Sequence, residues 1–141
     1  EGEDLEIIQA YLSIDPLRTI RVRLEGEVGT LTIKGRPDVV DGKVGISRSE
    51  FEYRIPKEEV EELIQLAVGV PILTTRRKVL VGAHVWEVDI FKGDNVGLVV
   101  AEVELGSEDE VFELPTWVGE DVSHELRYSH SQLMQFPFKE W

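Results

Sequence analysis

Residues 19–34 read TIRVRLEGEVGTLTIK, and in both halves of this stretch every second side chain changes character. Ile20, Val22 and Leu24 alternate with Arg21 and Arg23; after a Gly-bearing turn, Leu31 and Ile33 alternate with Thr32 and Lys34. A period of two belongs to an extended chain, whose successive side chains point to opposite faces. The stretch therefore predicts a β-hairpin with one apolar and one polar face. The pattern returns at 49–55, where Phe51, Tyr53 and Ile55 oppose Glu50, Glu52 and Arg54. Residues 72–81 and 84–91, ILTTRRKVLV and HVWEVDIF, predict a second hairpin around Gly82 and Ala83. GLVVAEVEL at 97–105 pairs back onto it through the KGDNVG turn.

The period changes at 56–69. Val60, Leu63, Ile64 and Ala67 fall at i, i+3, i+4 and i+7 behind Pro56 and an acidic first turn, which predicts an amphipathic helix ending at Gly69. Residues 36–48, rich in Gly, Asp and Pro, predict a loop. The tail at 123–135 predicts a turn plus a short helix closed by Pro137. At least six strands and one strong helix make an α+β fold dominated by an antiparallel sheet, in a single domain over residues 1–141.

A formal net charge of −13 argues against nonspecific binding to nucleic acid or to anionic membrane surfaces, so neither is expected as a partner. The chain has no cysteine, which rules out disulfides and thiolate metal sites and fits a reducing compartment. With no apolar run of membrane-spanning length and no signal peptide, the expected location is the cytoplasm.

The polar faces carry Arg21 and Arg23, Lys34, Glu50 and Glu52, Arg76 and Lys78, Glu87 and Asp89, Glu102 and Glu104. For any one strand, a solvated charged face is the simpler reading. Across successive strands, the scarcity of serine, threonine and glutamine at these positions argues for more. A closed barrel would turn the rows inward, where charges are costly unless paired or holding a ligand. A metal-bound polyphosphate meets both needs. Mg²⁺ and Mn²⁺ take carboxylate oxygens, while phosphates take Arg forks and Lys point charges.

The motifs QAYLS, RTIRVRL, LTIKG, EFEYRIP, WEVDIF, GLVVAEVEL, FELPTWVGEDVS and RYSHSQL resemble, in order, the short bacterial members of the CYTH domain family, the triphosphate tunnel metalloenzymes. The resemblance implies an antiparallel β-barrel with charged residues inside and helices packed outside. It also implies metal-dependent hydrolysis of a triphosphate, most often inorganic tripolyphosphate, with Mg²⁺ or Mn²⁺ as cofactor. By the same resemblance, Arg21, Arg23, Lys34, Arg76 and Lys78 bind substrate. Glu50, Glu52, Arg76 and Tyr128 are catalytic, and Glu87, Asp89, Glu102 and Glu104 hold metal. The family's first-strand motif, E-x-E-x-K, has no counterpart here, and Thr74, Arg77 and His130 stand where the family has lysine, tyrosine and asparagine.

That departure keeps a second reading open: an impaired, truncated or redesigned relative that binds polyphosphate or other anions without turnover. An absent strand would leave a barrel edge open to a second copy of the chain, so a homodimer through that edge is a further expectation. The three histidines and the acidic run at 107–110 are read as structural or surface groups, Lys78 and Arg54 as exposed, and Trp86, Trp117 and Trp141 as packing between barrel and helices.

Overall fold

The computed structural model describes residues 4–40, 43–107, 109–123 and 125–141, with side chains at 37–48 left out. Among the described residues seven strands are formed: β1 (Leu5–Ser13), β2 (Arg18–Glu25), β3 (Val28–Val40), β4 (Lys43–Ile55), β5 (Ile72–Val81), β6 (His84–Phe91) and β7 (Val99–Val103). Two helices accompany them, α1 (Lys57–Ile64) and the four-residue α2 (His130–Leu133). Each resolved ladder is antiparallel, and the hydrogen-bonded order is β4-β3-β2-β1-β5-β6-β7, ending at β4 and at β7. No described helix is long and apolar enough to cross a membrane. The chain divides into two compact units, residues 7–72 and residues 1–6 with 73–141.

Both expected hairpins form. Glu25 pairs with Val28 and Val81 with His84, so two residues make each turn. Gly26 and Gly82, each at the first turn position, have φ of 62°. That left-handed backbone suits the twist of a two-residue hairpin, and glycine adopts it without a Cβ clash.

In the 7–72 unit, the alternation sorts the side chains as expected. Ala10, Val22 and Val60 form a buried core, with Leu12, Leu24, Leu31, Ile55, Leu63, Ile64 and Ala67 packed around it. The helix thus covers the apolar face of β1 to β3, while Phe51 and Tyr53 of β4 stay exposed, and the charged row lies on the other face. Pro56 sets the helix entry: its carbonyl accepts from the amides of Glu59 and Val60, and Glu58 and Glu59 place carboxylates in the first turn. The helix stops at Ile64, short of the expected Gly69. The chain then turns so that the Val68 amide donates to the Tyr11 carbonyl.

Two segments differ from expectation. Residues 36–40 and 43–48 are strand, with Pro37 opposite Arg48 and Val39 opposite Val44, and register shifts flank Pro37. Proline lacks the ladder donor, and a bulge is one place where a strand tolerates it. The strand β1 was absent from the sequence reading because it does not alternate. Ile7, Gln9, Ala10 and Tyr11 are all buried, so both of its faces are covered and neither is a polar row.

Gly29 shows how closely helix and sheet approach. A Cβ there would lie 2.6 Å from the Ile55 carbonyl oxygen and 2.7 Å from Val60 Cγ2. Neither a backbone oxygen nor a fully buried valine can give way cheaply. Gly29→Ala is expected to lower stability by about 1–3 kcal/mol, the usual cost of overpacking, with an unchanged denaturant m-value. Urea unfolding followed by far-UV circular dichroism measures both.

Candidate functional site

The register of the 7–72 unit lays its polar residues out in rows. Tyr11, Arg21, Thr32 and Glu52 are successive cross-strand partners; so are Gln9, Arg23, Thr30 and Arg54, and likewise Thr19, Lys34 and Glu50. Cross-strand partners share a face. Arg21, Arg23, Lys34, Glu50 and Glu52 are therefore brought onto one face, opposite α1. The arginines are half-buried, whereas Glu50 and Glu52 on β4 are exposed. Arg23 Nη2 donates to Gln9 Oε1 at 3.2 Å, and Thr32 Oγ1 stands 3.5 Å from Glu52 Oε2. Gln9 and Thr32, absent from the predicted site, are buried here. The signal for Gln9 was a lone amide at a charged-face position, opposite an arginine.

In the unit of residues 1–6 and 73–141, two rows run across β5, β6 and β7. Arg76 faces Asp89, which faces Val100; Lys78 faces Glu87, which faces Glu102. Arg76 and Asp89 are buried and joined as a fork, Nε to Oδ1 at 2.8 Å and Nη2 to Oδ2 at 2.9 Å. Arg76 Nη1 also reaches Glu87 Oε1 at 3.3 Å. An open recess of about 800 Å³ is lined by Lys78, His84, Glu87, Glu102 and Glu104, with Ala83, Val85 and Val103. Lys78, Glu102 and Glu104 are exposed, and Glu104 lies just past the end of β7. Asp89 is engaged by Arg76 and does not line the recess.

Tyr128 is not among the recess residues. It lies in a 3₁₀ turn (Leu126–Tyr128), its ring edge-on to Trp141 at 5.0 Å, with the Arg127 guanidinium 4.1 Å over the Trp141 ring. Trp86 is buried and meets Trp117 and Phe112, while Trp117 and Trp141 are exposed. His130 stands edge-on to Phe91, and His124 lies outside the described residues.

Residue Glu110 is more than part of a solvated loop. Its Oε2 meets His84 Nε2 and its Oε1 accepts from the Gly106 amide, which ties the segment after β7 to the start of β6. A carboxylate only accepts, so Nε2 of His84 carries the proton. The hydrogen bond from His84, then that from Gly106, holds the Glu110 carboxyl below the ordinary glutamate range. Asp4 is lowered by the Arg77 fork, and Glu6 by hydrogen bonds from Lys92 and Thr75.

Among the described residues, no three His, Asp or Glu side chains are close enough to hold a metal by themselves. Glu87 and Glu102 are directly opposed across β6 and β7 and share the recess. Two carboxylates suit Mg²⁺, which commonly takes one or two from the protein and completes its shell with substrate phosphates and water.

Two outcomes follow from this geometry. Replacing one partner of a buried ion pair leaves the other's charge only partly compensated. Asp89→Leu should destabilise the protein by about 3 kcal/mol, and Arg76→Met with Asp89→Leu should recover most of that loss, both read by urea unfolding. The second outcome concerns Glu110. Its folded carboxyl binds a proton less readily than the unfolded one. The stabilisation is therefore complete above the ordinary glutamate range and is lost as pH falls through the lowered value. NMR titration should find the Glu110 midpoint below that of an ordinary glutamate, and His84→Ala should move it up.

Comparison with known proteins places this arrangement in context. The CYTH domain pattern matches residues 2–135. An inorganic triphosphatase of Acetivibrio thermocellus is 39% identical over 132 residues, covering 93% of this chain and 81% of the relative. One of Nitrosomonas europaea is 32% identical over 130 residues, covering 89% of this chain and 81% of the relative. A crystal structure of an inorganic triphosphatase superposes with a TM-score of 0.69 at 28% identity, covering 95% of this chain and 88% of that one. On the extent of these matches, the chain belongs to the CYTH domain family.

Proposed function

We propose that this protein hydrolyses inorganic tripolyphosphate to phosphate and pyrophosphate with the help of Mg²⁺ or Mn²⁺. The observation that carries the proposal is the basic row of Arg21, Arg23 and Lys34, placed by register on the face opposite α1. The names of the two relatives support the substrate. An antiparallel barrel with the charged rows turned inward, as the sequence reading expects, is part of the proposal.

In this reading, the guanidinium forks of Arg21 and Arg23 take phosphate oxygens through charge-assisted hydrogen bonds, and Lys34 adds a point charge. Arg76, its direction fixed by Asp89, offsets charge in the transition state. Glu87 and Glu102, with Glu104 beside them in the recess, would hold the divalent cation. When bound, such a cation neutralises charge on phosphoryl oxygens and orients the leaving group. A carboxylate of the Glu50 and Glu52 pair positions the attacking water and takes its proton. The phosphorus–water oxygen bond forms as the bridging phosphorus–oxygen bond breaks, and pyrophosphate leaves with the electron pair.

The test is phosphate release from tripolyphosphate with and without Mg²⁺. Turnover is expected only with metal. Arg21→Gln should lower kcat/KM about 10- to 100-fold, the worth of one charge-assisted contact. Glu102→Gln should raise the Mg²⁺ concentration needed for half-maximal rate while leaving metal-free tripolyphosphate binding unchanged. No metal-dependent release from the wild-type chain would end the proposal. A second reading, binding without turnover, rests on the missing first-strand E-x-E-x-K motif. Calorimetry separates the two, since affinity for tripolyphosphate indifferent to Mg²⁺ belongs to the binder alone.

A further inference from the structure

Gln9 is a polar residue in a position where an apolar one would fit. It is completely buried in β1, and its register partner in β2 is Arg23. Its Oε1 accepts from Arg23 Nη2 at 3.2 Å. A guanidinium only donates, so the amide oxygen must face it, and this fixes the amide's orientation. The consequence is that Gln9 Nε2 is buried with no acceptor, and the same is true of Arg21 Nε on the same face. Stranding a buried donor costs free energy, and leucine or methionine here would avoid that cost.

What the amide gains for that cost is control of a long, flexible side chain. A fixed acceptor restricts the rotamers of Arg23 and aims its fork before any ligand arrives, which reduces the ordering cost of binding. The spare donors on Gln9 and Arg21 leave this face short of acceptors, a deficit that anionic oxygens make good.

We propose that Gln9 is a positioning residue for the triphosphate: its Oε1 holds the Arg23 guanidinium in the orientation that receives phosphate oxygens. Gln9 acts through Arg23 and does not touch the reacting phosphorus. The inference rests on the reading of Arg23 as a phosphate contact and adds the residue that sets its direction.

The test is a double-mutant cycle of Gln9→Leu and Arg23→Met. Its readouts are KM and kcat for tripolyphosphate with Mg²⁺, calorimetric affinity for tripolyphosphate without metal, and thermal stability. Gln9→Leu is expected to raise KM about tenfold with kcat within about twofold and Tm not lowered. In the Arg23→Met background, the same change should alter KM by less than about twofold. A purely structural role would lower Tm and act equally in both backgrounds, which overturns the inference. An unchanged KM, or a loss confined to kcat, overturns it as well. If Gln9→Leu fails to fold, Gln9→Met, closer in length, is read in the same way. Wild-type turnover with a silent Gln9→Leu overturns this inference alone. Wild-type binding without turnover overturns the hydrolytic reading alone, and the cycle is then read on calorimetric affinity. A wild type that neither binds nor hydrolyses tripolyphosphate overturns both.

Discussion

Antiparallel register is the constraint on which the charged face depends. In the 7–72 unit, Val22 lies between Arg21 and Arg23 and is completely buried with Ala10 and Val60 under α1. A slip of one residue would send both arginines under the helix and Val22 to the opposite face. The hydrophobic burial that holds α1 to the sheet is therefore also what directs the arginines. The close approach at Gly29 belongs to the same device, because a helix held further off would leave Val60 less buried and the register less strongly specified. Register decides which face the arginines take, and the hydrogen bond from Arg23 to Gln9 then sets the direction of one fork on that face.

Charge pairing has a different part in the other unit. Glu87 and Glu102 are opposed across β6 and β7, an arrangement of like charges that is unfavourable on its own. It is tolerated because Lys78 faces Glu87 from β5 and Arg76 Nη1 reaches it at 3.3 Å. Asp89 differs from both. Buried and held by a two-pronged fork, it has its oxygens engaged, and its effect on the recess is indirect: it keeps Arg76 in place beside Glu87. Carboxylates of one sequence motif, WEVD, thus take separate roles according to burial.

How far the sequence could be read follows the same physics. Where one face was apolar and the other polar, as in β2, β4 and β6, period two gave both the strand and the face of each side chain. Where both faces were covered, as in β1, there was no alternation to read, and Gln9 passed unnoticed as a site residue. Residues 36–48 misled through composition. Gly, Asp and Pro weigh towards a loop, yet paired strands flank Pro37 by shifting register around it. Glu110 and Tyr128 depended on tertiary neighbours, His84 and Trp141, that no local pattern names. The predicted rows on the 7–72 unit share one face as expected, because shared face is a property of register. Which carboxylate is engaged and which is open is a property of packing, and the sequence held no sign of it.

A net charge of −13 makes this chain, averaged over its surface, a poor partner for an anion. The average is the wrong quantity, since exposed charges beyond about 8–10 Å are largely screened at physiological salt. Much of the acid of the 7–72 unit is carried by α1, where Glu58, Glu59, Glu61 and Glu62 are exposed on the helix side of the sheet. Across the other face the groups are graded. Gln9 and Tyr11 are neutral in β1, Arg21 and Arg23 follow in β2, Lys34 in β3, and Glu50 and Glu52 with Arg54 in β4. An anion on such a face is drawn towards β1 and β2, where donors are plentiful, and is less favoured at β4, where two carboxylates outweigh Arg54. In the proposed reading, the β4 carboxylates engage what the anion brings with it, a water or a cation. The gradient, more than the count of arginines, gives the face a direction along which a polyphosphate chain can lie.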